Sequence, residues 1–137
     1  MKKIALSLLS LLMILCLFAC GGKSDDPWKD AIHKEDVTLG DGATTVIGKV
    51  VAGEKIVTVT LKTDEKTLGE ALFAEGLITG EAGPYGLYVK TVNGIFADYD
   101  TDGTYWALYI NDEYAVTGVD TTPIEQGAVY KLAKEKG

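Results

Sequence analysis

Residues 44–62, with the sequence TTVIGKVVAGEKIVTVTLK, decide the fold of this 137-residue chain. The first part, 44–51, is rich in β-branched residues, and Gly53-Glu54-Lys55 is a typical turn sequence. In the second part, 56–62, valine and leucine alternate with threonine and lysine, so one face of that strand is apolar and the other is polar. The stretch therefore predicts a β-hairpin with one buried face.

A short helix is predicted directly after the hairpin. Residues 67–70, TLGE, match a capping box, in which the Thr67 hydroxyl accepts from the Glu70 amide and the Glu70 side chain reaches back. Gly76 lies where a glycine would end the helix. A narrow apolar stripe, wide enough to cover a small sheet, is formed by Leu68, Ala71 and Leu72.

The remainder of the chain is predicted to consist mostly of strands and turns. Strands are expected at 87–92, 95–97, 104–110 and 128–133, with a brief pairing at 114–116. Loops are expected at 80–86 and 98–103, and Asn93-Gly94 indicates a tight turn. An N-terminal hairpin, one helix and then several strands in a mixed sheet make an α+β fold of the β-grasp-like kind, which we predict for residues 43–137.

The first 19 residues have the features of an export signal. Lys2 and Lys3 precede an apolar run, 4–18, that is shorter than the ~20 residues of a membrane-spanning helix. Leu17-Phe18-Ala19-Cys20 resembles a bacterial lipobox, in which cleavage before the cysteine is followed by attachment of a diacylglycerol to Cys20. We therefore expect a lipoprotein signal at 1–19, a lipidated cysteine and tether at 20–42, and a folded domain held at the extracytoplasmic face of the cell membrane. An ordinary signal peptide with a chance cysteine is the alternative.

Composition excludes several classes of function. The net charge is −7 and the basic residues are all lysine, which argues against a nucleic-acid partner. Residues 43–137 contain no Ser, Cys, His or Arg, so catalytic triads, thiol chemistry, histidine acid–base catalysis and His/Cys metal sites are unavailable there. The sequence predicts a protein that is not an enzyme.

An acidic stretch before the strand at 104–110 has part of a calcium-loop pattern. Asp98, Asp100, Asp102 and Gly103 occupy positions 1, 3, 5 and 6 of such a loop. Position 12 is Tyr109, where the motif requires a glutamate. A solvated acidic loop is the simpler interpretation, and binding of a divalent cation such as calcium is the alternative.

Aromatic residues are concentrated in the second half of the chain. In the strand at 104–110, Trp106 and Leu108 would lie on one face, with Tyr105 and Tyr109 on the other. A thin domain cannot bury both faces, so one of them must meet water, a ligand or a partner. Tyrosine and tryptophan suit such a surface because they combine a large apolar area with a hydrogen-bonding group.

Several segments together carry a resemblance to a known family. They are TLGEAL (67–72), GPYGLYV (83–89), VNGI (92–95), YWALYIN (105–111) and GVD (118–120), followed by Pro123-Ile124 and Gly127. Over about residues 43–134 the chain resembles the transcobalamin-like C-terminal domain, a family that includes bacterial lipoprotein modules and the smaller domain of transcobalamin and intrinsic factor. In those vitamin carriers a larger helical domain covers the other face of the ligand, and the present sequence shows no counterpart of it.

The resemblance implies a soluble ligand such as cobalamin or another corrinoid, with no further cofactor required. No protein ligand to the metal is needed if the cobalt keeps its own base. By position, the residues nearest the ligand would be Tyr85, Tyr88, Trp106, Tyr109, Val116, Gly118 and Asp120. The predicted function is a membrane-anchored lipoprotein that binds such a ligand and delivers it to a transporter. The alternatives are a calcium-binding module that uses Asp98–Asp102, or a module that docks a protein or the cell wall through its aromatic strand.

Overall fold

Two β-sheets and two short α-helices form most of the part of the chain that the computed structural model describes, residues 26–137. The strands are β1 (Val37–Leu39), β2 (Thr44–Ala52), β3 (Lys55–Thr63), β4 (Ile78–Gly83), β5 (Gly86–Val92), β6 (Ile95–Phe96), β7 (Thr104–Ile110), β8 (Glu113–Tyr114) and β9 (Val129–Lys136). The helices are α1 (Leu68–Ala74) and the single turn α2 (Tyr99–Asp102), with 3₁₀ turns at Pro27–Asp30 and Val119–Thr121. The predicted α+β class is confirmed. The predicted signal and Cys20 lie outside the described residues.

The larger sheet has six strands in the order β1-β3-β2-β9-β7-β8. The predicted hairpin is present as β2 and β3, paired antiparallel from Thr44↔Thr63 to Ala52↔Lys55. The final strand, β9, lies in the centre of the sheet, parallel to β2 and antiparallel to β7. The first long strand and the last strand of the domain are therefore neighbours.

Helix α1 packs over one face of this sheet and has the predicted caps. The Glu70 amide donates to the Thr67 hydroxyl at 3.2 Å, and that hydroxyl donates to the Glu70 carboxylate at 2.9 Å. At the other end Gly76 has a φ of 69°, and the Leu77 amide donates to the Leu72 carbonyl at 2.9 Å, the pattern of a Schellman motif. The core between helix and sheet includes Val46, Val50, Val59, Leu61, Leu68, Leu72, Tyr130 and Leu132.

The second sheet contains β4, β5 and β6, and its first strand corrects the sequence-based prediction. Residues 80–83 were expected in a loop because two of them are glycine, yet they pair with β5. The register shifts between Thr79 and Gly80, and a Cβ on Gly80 would lie only 2.3 Å from the Tyr88 carbonyl oxygen. Glycine is thus required here by close strand packing, not by a loop.

The segment before the hairpin, part of the expected tether, packs against the domain. Trp28 is 4% exposed, and its indole N–H donates to the Ala52 carbonyl at 2.9 Å. The side chain of Asn93 accepts from the His33 amide and donates to the His33 carbonyl, each at 2.8 Å. Strand β1 then joins the larger sheet beside β3. Trp28, His33 and residues 37–39, all within the expected tether, are therefore in contact with the domain.

Most of the turns and of the later strands lie where the sequence predicted them. Asn93 and Gly94 have φ values of 53° and 79°, which confirms the tight turn. Strand β7 has the predicted bounds, while β9 is longer than predicted and β8 contains only two residues. The acidic loop expected at 98–103 is largely the helical turn α2, which ends at Gly103 in the left-handed conformation. No helix within residues 26–137 is long and apolar enough to cross a membrane.

Candidate ligand-binding groove

A groove lies beside β7 because the neighbouring strand is too short to cover that edge. Strand β8 pairs only with Tyr109 and Ile110, so residues 104–107 have no ladder partner on that side among the described strands. Strand β5 and the segment 114–119 approach this edge and enclose a cavity of about 200 Å³. We call this cavity the aromatic groove. Its lining includes Leu87, Tyr88, Tyr105, Trp106, Tyr114 and Gly118.

Two hydrogen bonds hold the main aromatic walls of the groove. Trp106 is 8% exposed and its indole N–H donates to the Lys90 carbonyl at 3.3 Å, which joins β7 to β5. The Tyr88 hydroxyl accepts from the Tyr99 amide at 3.1 Å, at the start of α2. Both rings are therefore fixed by contacts with the backbone before any ligand arrives.

A carboxylate fixes the far end of the groove. Asp120 accepts from the Leu87 amide at 3.1 Å, so it joins the 3₁₀ turn to the start of β5. Gly86 has a φ of 106°, and a Cβ on it would lie 2.9 Å from the Asp120 carboxylate. Glycine at this position lets the carboxylate reach the backbone. Asp120, predicted as a ligand contact, has a positioning role in this structure.

The structure brings together some of the predicted ligand contacts and separates others. Tyr88, Trp106 and Gly118 line the aromatic groove. Val116 is 97% exposed in the loop beside the groove, and Tyr85 is 98% exposed at the tip of the β4–β5 hairpin, so neither lines it. Tyr109 lies outside the groove, on the opposite face of β7 from Trp106.

Tyr105 and Tyr114 line the groove although neither was among the predicted contacts. Tyr105 lies on the face opposite Trp106, but at an uncovered strand edge both faces reach the same cavity. Burial, and then the neighbouring Tyr114, raise the pKa of Tyr105. The sequence predicted only a brief pairing after the Asn111-Asp112 turn. That short pairing could have indicated that most of this edge of β7 has no partner strand.

Tyr109 lies on the other face of the sheet together with Tyr105 and Tyr114, but unlike those two it does not line the groove. Its hydroxyl donates to the Glu135 carboxylate at 2.7 Å, and its ring is 5.5 Å from that of Tyr114. The hydrogen bond to Glu135, together with partial burial, raises the pKa of Tyr109 to about 12. The ammonium of Lys131 lies 4.5 Å from the same ring.

The acidic turn does not gather its carboxylates around one point. Asp98 points inward, where it accepts from the Thr101 hydroxyl at 2.9 Å and lies 3.4 Å from the Lys90 ammonium. Asp102 instead accepts from the amide and the hydroxyl of Thr104. These contacts lower the pKa of both carboxyl groups, with the threonine hydrogen bond as the main cause in each. Within residues 26–137 no group of three or more acidic, histidine or cysteine side chains is arranged to hold a metal ion.

The second oxygen of Asp98 is nonetheless unusual. Oδ1 is buried and has no hydrogen-bond partner among the described residues. Lys90, which also lies 3.7 Å from Glu81, is the cation that balances this carboxylate. A cation that bound at Asp98 would therefore have to compete with an ion pair already formed.

Comparison with known proteins identifies the family. Residues 65–129 match the family described as "Domain of unknown function (DUF4430)". The chain is 32% identical to a protein from Ruminococcus gnavus ATCC 29149, described as a "putative metal binding protein", with 99% of that chain covered, 69% of this chain covered and a TM-score of 0.65. The present chain belongs to the same family as that protein.

A second solved structure supports the transcobalamin-like fold. Haptocorrin in complex with Cbi superimposes with a TM-score of 0.55 at 18% identity, over 72% of this chain. The described chain spans only 26% of the haptocorrin chain, so the likeness is one of fold. No curated protein matches the sequence.

Proposed function

We propose that this protein is an extracytoplasmic lipoprotein, anchored through Cys20, whose aromatic groove binds a soluble ligand of the corrinoid class. The domain provides a β-grasp-like frame, since a hairpin, a covering helix and a final strand parallel to the first long strand occur in that order. The observation that carries the proposal is the groove itself, in which prearranged rings flank an uncovered strand edge.

The size of the groove limits how much of a ligand it can enclose. A cavity of about 200 Å³ is below the ~300–1,000 Å³ typical of sites that enclose a drug-sized molecule. A corrinoid would therefore rest on the rings with one edge or face, and its other side would remain open. The haptocorrin structure, which holds Cbi, contains this fold as about a quarter of its chain, in agreement with partial coverage. Partial coverage favours modest affinity and release, as delivery to a transporter requires.

Calorimetric titration of the full chain with cobalamin tests the ligand. Two tyrosines supply a matched pair of variants, because Tyr114 is 58% exposed and lines the groove while Tyr99 is 56% exposed and does not. We expect Tyr114→Ala to weaken binding by about tenfold, as for an aromatic contact worth ~1–1.5 kcal/mol. Tyr99→Ala should leave it unchanged. Absence of binding heat at high micromolar cobalamin would contradict the proposal.

The anchor has its own test. Replacement Cys20→Ser removes the thiol that would carry the lipid, so the protein should move from the membrane fraction to the soluble extracytoplasmic fraction. Metabolic labelling with a fatty acid should be lost in the same variant. Cys16→Ser is the control, because that residue lies within the apolar run and would be removed with the signal. Unchanged labelling of Cys20→Ser would rule out this anchor.

A second candidate function is binding of a divalent cation, which the description of the Ruminococcus gnavus relative favours. The acidic turn Asp98–Asp102 is the candidate region. Asp100 is exposed, and its backbone but not its side chain takes part in the hydrogen bonding of Asp98, so Asp100→Ala should preserve the fold. Under this proposal millimolar calcium raises the melting temperature of the original chain but not of Asp100→Ala, because calcium would bind the folded state. Equal melting curves with and without calcium would exclude it.

A further inference from the structure

One face of the six-stranded sheet is uncovered by the described residues. Helix α1 and the second sheet pack on the face that carries Val46, Val50 and Val59. Strand alternation places Ile47, Lys49 and Val51 of β2, Ile56 and Lys62 of β3, and Lys131 of β9 on the opposite face. We call this the outer sheet face. Ile56 is 55% exposed there, and the other five side chains are exposed or half-buried.

The outer sheet face is basic although the chain is acidic. Lys49 and Lys131 are register partners on adjacent strands, and Lys62 lies on the neighbouring strand. Like charges opposite each other on a sheet destabilise it unless an anion lies nearby. In the four long strands the one acidic side chain on this face is Glu135, which already accepts from Tyr109. The ion pairs found among the described residues are both made by Lys90, away from this face.

The outer sheet face combines apolar and basic side chains, as surfaces that bind at a membrane–water interface do. Isoleucine and valine side chains occupy its centre, and lysine can lay its aliphatic stem over them while its ammonium reaches outward. Tyr109 adds a ring with a polar end, beneath the ammonium of Lys131. Apolar side chains surrounded by lysine and tyrosine are typical of surfaces that lie at the boundary of a bilayer.

The length of the N-terminal segment brings this face near a membrane. Five residues, 21–25, separate Cys20 from Asp26, the first described residue, so six Cα–Cα steps put the two Cα atoms at most about 20 Å apart. Pro27 then contacts the β2–β3 turn, with its ring 3.8 Å from the Cβ position of Gly53. That turn lies next to Ile56, at one end of the outer sheet face.

From these observations we propose that the outer sheet face docks on an anionic lipid surface. The proposal rests on the lipid anchor at Cys20, which is part of the proposed function. Docking there leaves the inner part of the aromatic groove accessible, because Trp106 and Leu108 lie on the inner side of the sheet. Tyr105 and Tyr114 lie on the outer side, at the β7–β8 edge of the sheet. Opposite charge on the headgroups also relieves the repulsion between Lys49 and Lys131.

The test uses the full lipid-modified chain in vesicles of phosphatidylglycerol and phosphatidylcholine, compared with phosphatidylcholine alone. Acylation of single lysines by an amine reagent is followed by mass spectrometry. We expect Lys49, Lys62 and Lys131 to react about threefold more slowly on the anionic vesicles, an effect that high salt removes. Lys66 is exposed beside α1 and should react equally on both. Equal rates for all four lysines would overturn the proposal.

The double variant Lys49→Glu/Lys131→Glu separates docking from anchoring. It should float with the vesicles as the original chain does, since the lipid is unchanged, but Lys62 should lose its protection. Protection of Lys62 that persists in this variant would overturn docking through the outer sheet face. If the original chain itself fails to float, the anchor is wrong and the proposed function loses that part, whereas a floating chain with unprotected lysines contradicts only the docking.

Discussion

The two sheets of this domain are stabilised in different ways. In the larger sheet, β3 buries Val57, Val59 and Leu61 in the hydrophobic core, each with 2% exposure or less. In the smaller sheet, β4 is buried only at its first residue, and Tyr85 at the hairpin tip is 98% exposed. The outer half of the β4–β5 hairpin is instead joined to its surroundings by polar contacts, such as those of Lys90 and Asp120.

This difference matters because the aromatic groove lies between the two regions. Trp106 belongs to the larger sheet, and Tyr88 belongs to the hairpin. Regions held by polar, partly exposed contacts open at lower free energy than an apolar core. We therefore expect one wall of the groove to be rigid and the other to adjust to its ligand. Substitutions in the larger sheet should mainly lower the stability of the domain, and substitutions in the hairpin should mainly change its affinity for the ligand.

The largest expected effect is on the rigid region. Leu61→Ala removes a side chain that is 1% exposed and should lower the free energy of unfolding by about 2–5 kcal/mol. Urea denaturation followed by circular dichroism measures it. A loss below about 1 kcal/mol would show that the larger sheet is not the stable part of the molecule.

A smaller effect is expected where the two strands of the hairpin approach closely. Gly80→Ala places a methyl group 2.3 Å from the Tyr88 carbonyl, so the strands must separate, at a cost of about 1–3 kcal/mol. Because the Tyr88 ring forms a groove wall, affinity for cobalamin should fall as well. Gly76→Asn is the control, since nothing lies within 4 Å of the Cβ position there and asparagine tolerates a positive φ. Unchanged stability of Gly80→Ala would mean that the register shift between Thr79 and Gly80 lets the two strands separate at little cost.

Acid should weaken the polar contacts of the hairpin region first. The pKa of Asp98 is lowered by the Thr101 hydroxyl and by Lys90, so its stabilising contribution is present above about pH 4 and disappears as the pH falls through its folded-state pKa. The stability difference between the original chain and Asp98→Asn should therefore shrink below pH 4. Melting curves from pH 7 to pH 2.5 measure it, and a constant difference would contradict the assigned ion pair.

Alkali provides the corresponding test on the larger sheet. The pKa of Tyr109 is raised to about 12 by its bond to Glu135, so neutral tyrosine stabilises the fold below pH 10 and that contribution is lost between pH 10 and 12. Tyr109→Phe should lack this loss. Absorbance titration of tyrosinate in both chains locates the transition. If both chains titrate alike, the hydrogen bond to Glu135 does not control Tyr109.

The smallest effect on stability is expected at the hairpin tip. Tyr85 is 98% exposed, so Tyr85→Ala should change the free energy of unfolding by less than about 0.5 kcal/mol. It should also leave cobalamin affinity nearly unchanged unless the hairpin closes over the ligand. A large loss of affinity without loss of stability would therefore show that the adjustable wall moves on binding.

Local patterns in the sequence predicted the β2–β3 hairpin and the helix α1. They did not predict strand β4 or the packing of the segment before the hairpin. The alternation in 56–62 and the capping box at Thr67 depend on neighbouring residues, so both could be recognised without a structure. Strand β4 could not be, because its glycines are explained only by the nearness of Tyr88. The burial of Trp28 likewise depends on Ala52, which is 24 residues away.

Some residues of the candidate site were predicted from the sequence, and others were not because their positions depend on contacts that are distant in sequence. Trp106 and Tyr88 follow from the family resemblance and do line the groove. Tyr109 was assigned by position along β7, yet its place depends on Glu135, which is 26 residues away in sequence and lies on the neighbouring strand β9. The role of Asp120 toward Leu87 also required the tertiary arrangement.

The central position of β9 has a consequence for the order of events during synthesis. Its eight residues, Val129–Lys136, separate β2 from β7, so the sheet has no continuous middle until the C-terminal end of the domain has been made. Pairing between segments so distant in sequence is slow to form. We expect the larger sheet to remain incomplete until Val129–Lys136 has been synthesised, so that folding of this sheet follows synthesis of its last strand and does not accompany synthesis of the earlier ones.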